Sequence, residues 1–173
     1  MYHLLKKRQL LQGKILHFSP PLSLYQKLRQ ITTIQYVSSD YENEFVADQQ
    51  YDLTDINLPD ASVNLFIAYH VLEHIEQDST AMRELFRITK NGGQGLIQTP
   101  FKSGEIYEDF SIRTPADRLR HFGQHDHVRI YSVQGLVNRL TAVGFTVEIL
   151  QFQEKVDNIY GFKTEEIVLE VHK

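Results

Sequence analysis

The chain has 173 residues, the size of one ordinary domain, and its 42% hydrophobic and 23% charged residues are typical of a globular protein. We therefore expect a single domain spanning residues 1–173. The formal charge of -4 lacks the broad positive field of sequence-independent nucleic-acid binding, so no nucleic-acid partner is expected and a small-molecule partner is favoured. The absence of cysteine excludes disulfides, thiolate metal sites and cysteine nucleophiles, and fits a cytoplasmic location.

The first segment contains paired leucines and three basic residues rather than the apolar run of a signal peptide. It predicts a short amphipathic helix over residues 1–13, ending at Gly13. No stretch reaches the ~18 apolar residues of a membrane span, so no membrane partner is expected. Residues 14–18 read as the first strand, and Ser19 before Pro20 predicts an N-cap and a helix to Arg29.

The middle of the chain alternates between strand and helix patterns, which predicts βαβ units and a mainly parallel sheet. We expect the second strand over residues 32–38 and a short third strand near 50–53. Residues 63–69, VNLFIAY, form a nearly continuous apolar run, as expected for a central parallel strand covered on both faces.

Apolar residues recur at helical spacing from residue 78 to 90, where Asn91-Gly92-Gly93 is expected to end the helix. A strand over 94–99 follows. Residues 101–131 form a polar insertion, much longer than a usual connection. Ser132 is predicted to cap the last helix. The closing strands, over 145–152 and 166–171, suggest an antiparallel hairpin at one edge of the sheet.

Ligands of open parallel sheets bind beyond the carboxyl ends of the strands, so the residues after each strand are candidates for the site. Asp40 lies 22 positions after Phe18, close to the spacing of about 20 at which dinucleotide folds place a ribose-binding carboxylate. A turn-forming aspartate is the alternative for this position.

Residues 51–62 and the run VNLFIAYHVLEHI after them, with RITKNGG and QGLIQTP downstream, resemble the class I S-adenosylmethionine-dependent methyltransferases, in particular the type 11-like methyltransferase domain. The resemblance covers roughly residues 14–150, and 52–100 is its most specific part. It implies a doubly wound α/β fold, with a mainly parallel, seven-stranded Rossmann-like sheet and an antiparallel edge hairpin. It also implies S-adenosylmethionine as cofactor, and methyl transfer to an O or N nucleophile of a small-molecule acceptor.

The resemblance assigns four cofactor-binding residues after the second to fourth strands. Asp40 would hold the ribose hydroxyls, and Asp52 would accept from the adenine amino group. Leu53 would offer its backbone amide and an apolar edge to the ring, while His70 would lie beside the methionine end. A turn-forming role remains open for Asp52.

The first turn, with His17, Phe18 and Ser19 as further cofactor-binding candidates, has no glycine where the family usually has a glycine-rich turn. S-adenosylmethionine carries no pyrophosphate and so needs no phosphate-cradling loop. The Ser19 hydroxyl and the amides of Leu22 and Ser23 are then expected to meet its carboxylate. The same departure supports an alternative function, a non-catalytic methyltransferase-like binding module. A nicotinamide dehydrogenase is disfavoured because no G-x-G-x-x-G motif is present.

Residues 111–131 of the insertion are locally cationic, and the insertion 101–131 is expected to cover the acceptor pocket. We take His125, His127 and Arg120 as the candidate catalytic residues. An imidazole can act as a general base near neutral pH, and Arg120 could bind an acceptor carboxylate or phosphate. Two alternatives stay open for the histidine pair, metal binding and hydrogen bonding within an ordered loop. The sequence assigns no metal site.

Overall fold

The computed structural model of the protein describes residues 1–152 and 166–173. The predicted connection between the last two strands lies outside the described residues. The strands are β1 (Gly13–Phe18), β2 (Ile34–Ser39), β3 (Val63–Tyr69), β4 (Thr89–Gln98), β5 (Phe101–Lys102), β6 (Tyr107–Glu108), β7 (Arg129–Ser132), β8 (Thr146–Phe152) and β9 (Glu166–His172). The helices are α1 (Tyr2–Lys7), α2 (Leu22–Arg29), α3 (Asp78–Ile88), α4 (Pro115–Phe122) and α5 (Val133–Ala142).

The main sheet has the strand order β2-β1-β3-β4-β9-β8. Strands β2, β1, β3 and β4 run parallel to one another, whereas β9 is antiparallel to both of its neighbours, β4 and β8. The edge hairpin that the sequence predicted is therefore confirmed, as is the mainly parallel α/β architecture.

Successive residues of a strand point to opposite faces of the sheet. Because both faces carry apolar side chains, helices pack on both of them. Leu16 and Phe66 belong to a buried cluster shared with α3 and α5. Their chain neighbours Ile15 and Ile67 belong to a second cluster, shared with α1 and α2. The sheet is therefore doubly wound, and its carboxyl edge is left between the two helical layers.

The expected seventh strand, near residues 50–53, does not form in the described ranges, which hold six strands of the main sheet. A single parallel bridge joins Ser39 to Gln49 at that edge. The Asp40 carboxylate accepts hydrogen bonds from the amides of Glu44 and Phe45, and these bonds fold the chain into a loop. This loop, rather than the predicted strand, lies beside the edge strand β2.

Two predicted helix ends are wrong, because the residues interpreted as helix start and stop signals make other hydrogen bonds. Ser19 does not cap α2, which has Pro21 as its N-cap, and the Ser19 hydroxyl donates to Asp40 instead. Helix α3 ends at Ile88 rather than at residue 90. The Asn-Gly-Gly segment lies within β4, where the Gly92 amide donates to the carbonyl of the C-terminal residue.

The capping prediction for the last helix is confirmed, because the Ser132 hydroxyl accepts from the Gly135 amide at 3.1 Å. The first helix is shorter than predicted and ends at Lys7. The insertion is ordered, with α4 and a small sheet in the order β5-β7-β6. In the ranges 1–152 and 166–173, no helix is long and apolar enough to cross a membrane.

Candidate functional site

Two residues at the carboxyl edge have a left-handed backbone that side-chain-bearing residues rarely adopt. Ser19 has φ 45° directly after β1, and His70 has φ 53° directly after the neighbouring β3. Each turn is fixed by a hydrogen bond to the next strand, from the Ser19 amide to the Ser39 carbonyl at 2.8 Å and from the His70 amide to the Gln98 carbonyl at 2.9 Å. Strained backbone of this kind clusters at binding sites.

The turn after β1 needs no glycine because Ser19 itself takes the left-handed conformation. Helix α2 then begins two residues after Pro20, at Leu22. The first amides of a helix, here those of Leu22 and Ser23, have no acceptor within the helix and carry the positive end of its dipole. They are suited to an anionic group such as a carboxylate.

The other two candidates of the first turn are buried. His17 is 1% exposed, and its Nδ1 lies 3.0 Å from the Tyr36 hydroxyl. Burial lowers the pKa of His17 to about 3, so its ring is neutral at physiological pH. Phe18 is part of the core. Contacts of these two residues with a ligand would therefore come from their backbone.

Asp40 is buried, and its carboxylate is already engaged by the protein. One oxygen accepts from the Ser19 hydroxyl at 2.8 Å, and the other accepts from the amides of Glu44 and Phe45 at 2.7 and 3.1 Å. A carboxylate has about four acceptor positions, so roughly one remains for a ligand.

An open pocket of about 620 Å³ lies between residues 41–43 and 50–57. Asp52 lines it, with Oδ1 accepting from both the amide and the hydroxyl of Thr54 at 2.7 Å. Its other oxygen, Oδ2, accepts no hydrogen bond from the described part of the chain. Leu53 is 5% exposed and packs into the core, while Asp55 also lines the pocket. The volume lies within the usual range for a small-molecule site.

The three candidates of the insertion have different surroundings. Arg120 is exposed on α4, and the His125 side chain is 75% exposed. His127 is buried, and its ring packs edge-on against that of His74, with 4.6 Å between the centroids. Burial and the neighbouring His74 lower the pKa of His127. The structure thus brings His127 into a cluster that Arg120 and His125 do not share.

Glu73 is the residue that the sequence did not assign. It is 1% exposed, and neither of its carboxylate oxygens has a hydrogen-bond partner in the described residues. His70 Nδ1 lies 3.3 Å from Glu73 Oε1 without the geometry of a hydrogen bond. One potential ligand atom from each of Glu73, His74 and His127 falls within 4.8 Å of the others. The sequence signal for this cluster was the adjacent pair Glu73 and His74 after β3, but their partner His127 is remote in sequence.

Residues 15–150 match the family model of a methyltransferase domain, and the chain belongs to that family. A Mycolicibacterium smegmatis protein named a "probable S-adenosylmethionine-dependent methyltransferase" is 32% identical over 97 residues, which are 56% of this chain and 34% of that protein. The chain thus spans about a third of that relative's length.

Two solved structures share the fold at low sequence identity. A methyltransferase from Archaeoglobus fulgidus superposes with a TM-score of 0.70 at 13% identity, covering 99% of this chain and 92% of the other. The cyclase SpnF superposes with a TM-score of 0.69 at 15% identity, covering 99% and 79%. Since proteins with different names share this fold, the site has to carry the functional argument.

Proposed function

We propose that the chain binds S-adenosylmethionine at the carboxyl edge of β1, β2 and β3 and transfers its methyl group to an O or N nucleophile of a small molecule. The observation that carries this proposal is the pair of left-handed residues, Ser19 and His70, at the ends of two adjacent strands. Both lie at the carboxyl edge of the sheet, where open parallel sheets bind their ligands.

Each part of the cofactor meets groups that match its charge or its hydrogen-bonding capacity. The free Oδ2 of Asp52 accepts from the adenine amino group, while Thr54 holds Oδ1 in place. Asp40 contributes one remaining acceptor position to the ribose and otherwise holds the loop after β2. The amides of Leu22 and Ser23 meet the methionine carboxylate, while the Ser19 hydroxyl stays bonded to Asp40.

S-adenosylmethionine, when bound, supplies a methyl group on a sulfonium, which is already activated for in-line displacement. The protein then mainly aligns the acceptor, and the acceptor loses a proton as its oxygen or nitrogen bonds to carbon. The exposed His125 is suited to take this proton, and the exposed Arg120 to pair with an acidic acceptor group. His127, which is buried, acts as a positioning residue for the loop.

Titration with S-adenosylhomocysteine, the demethylated product, tests cofactor binding without an acceptor. We expect micromolar affinity or better and, at a hundred times Kd, a melting temperature raised by roughly 5 to 11 °C. No heat and no shift at millimolar ligand would contradict the proposal.

A matched pair of variants tests the adenine site. Asp52→Asn keeps an oxygen for Thr54 but loses the charged acceptor, so Kd should rise roughly 10- to 150-fold. Asp55→Asn, three residues along the same pocket, should change Kd much less. Equal effects would mean that the adenine ring does not lie beside Asp52.

A non-catalytic binding module is the second candidate, because Pro20 and Pro21 remove two backbone donors from the turn after β1. The same titration separates the candidates. A module that has lost the cofactor gives no binding, whereas the methyltransferase binds both the cofactor and its product.

A further inference from the structure

We propose that Glu73, His74 and His127 bind one divalent transition-metal ion of the zinc class. The three residues come from two segments, the single 3-10 turn after β3 (Leu72–His74) and the loop before β7. The Val128 amide donates to the Glu73 carbonyl at 2.9 Å, which joins the two segments beside the cluster.

Three polar atoms of Glu73 and His127 are buried without a hydrogen bond in the described residues, although His70 Nδ1 lies 3.3 Å from Glu73 Oε1. They are both oxygens of Glu73 and Nε2 of His127. A buried carboxylate left in this state is costly, and such groups are usually satisfied by water or by an ion. A metal ion would satisfy His127 Nε2 and one oxygen of Glu73 at once.

Each imidazole has an oxygen near its Nδ1, through a hydrogen bond for His127 and an ion-pair contact for His74. His127 Nδ1 lies 3.3 Å from the Phe122 carbonyl, and His74 Nδ1 lies 3.0 Å from Asp126 Oδ2. A histidine that ligates a metal usually donates its other N–H to a carbonyl or carboxylate. With the proton on Nδ1, Nε2 of each ring carries the lone pair that a metal takes.

The donor set also indicates the kind of ion. Two imidazoles and one carboxylate suit zinc and its first-row neighbours, whereas magnesium prefers oxygen ligands only. Three protein donors leave one position of a tetrahedral ion to water or another oxygen ligand. The His74 side chain is 30% exposed, so an ion has a route from solvent.

The test uses the chain without a histidine tag, stripped with a chelator and titrated calorimetrically with zinc chloride or magnesium chloride. We expect one equivalent of zinc to bind and to raise the melting temperature, and magnesium to do neither. Cobalt should bind at the same site and give visible d–d absorption of tetrahedral intensity. Absence of saturable zinc binding would overturn the proposal.

Variants locate the ion. His127→Gln and Glu73→Gln should each weaken zinc binding at least about a hundredfold, and Asp126→Asn about 10- to 100-fold through His74. His125→Gln, in the same loop, should bind like wild type. If His125→Gln abolishes binding, or if Glu73→Gln retains it, the assignment is wrong.

Folding is checked in chelator, where Glu73→Gln should melt at or above the wild-type temperature because a buried carboxyl group without a hydrogen bond is replaced by an amide of the same size. Since Asp126 is 42% exposed, Asp126→Asn tests the site even if a ligand variant fails to fold. These measurements need neither cofactor nor acceptor. Failure of the metal site is therefore distinguishable from failure of the methyltransferase proposal.

Discussion

At the residue scale, the buried imidazole of His17 makes the stability of the protein depend on pH, and its position in β1 explains why. The ring is 1% exposed and contacts the hydroxyl of Tyr36, which belongs to the neighbouring strand β2. Desolvation disfavours the charged form, which is why the pKa of His17 falls from 6.5 to about 3.

The free energy of unfolding should therefore fall as pH drops from about 6.5 towards 3. In this window the unfolded chain protonates His17 and the folded chain does not, which contributes a slope of about 1.4 kcal/mol per pH unit. His17→Asn should remove this contribution, measured by urea unfolding between pH 5 and 7. Tyr36→Phe is the control and should keep the slope, because burial is what lowers the pKa. Parallel profiles for wild type and His17→Asn would contradict the prediction.

At the scale of elements, one guanidinium joins the insertion to the turn that carries Glu73. Arg129, in β7, is fully buried and donates to the carbonyls of Leu72, Ile75 and Glu76. The same side chain pairs with Glu108 of β6 at 2.9 Å. These bonds satisfy the Ile75 and Glu76 carbonyls, which lie beyond the short helix, and give the Leu72 carbonyl a donor besides the Ile75 amide.

Arg129→Met should destabilise the protein by about 3 to 5 kcal/mol, because it leaves the partly buried carbonyls of Ile75 and Glu76 without their donor and removes one of the two guanidinium partners of Glu108. Denaturant unfolding measures the loss. Arg83→Met is the matched control, since Arg83 is exposed and its hydrogen bond goes to Thr80 within α3, and it should change stability by no more than about 0.5 kcal/mol. Equal effects of the two substitutions would show that the buried network contributes nothing.

At the scale of the whole molecule, the two buried clusters share the strands of one sheet. Leu28 lies in the cluster under α1 and α2, and Leu85 lies in the cluster under α3 and α5. Loss of either cluster would expose one face of β1 and β3. Packing on the two faces should therefore be coupled.

Leu28→Ala and Leu85→Ala should each lower the melting temperature of a single transition. The cost of about 2 to 5 kcal/mol corresponds to roughly 4 to 20 °C in a chain of this size. Scanning calorimetry should give equal calorimetric and van't Hoff enthalpies for wild type and both variants. Two separate transitions, each sensitive to one substitution, would show instead that the faces unfold independently.

Local patterns in the sequence were sufficient for most of the main sheet. The run at 63–69 matches β3 residue for residue, and Ser132 caps α5 as predicted. The strand and the helix cap both depend on residues within a few positions of one another. Such local preferences do not depend on the tertiary structure. The strand predicted near residue 50 does not form, because pairing at that edge depends on how the loop after Asp40 closes.

The sequence by itself determined the α/β class and most strands and helices of the main sheet, because apolar periodicity and turn residues are local. The tertiary structure decided the left-handed conformation of Ser19, which is fixed by its hydrogen bond to Ser39. It also decided that His127 lies against His74 and Glu73 rather than beside His125. Contacts between segments so distant in sequence leave no periodic signal, since they arise only when the sheet brings the segments together.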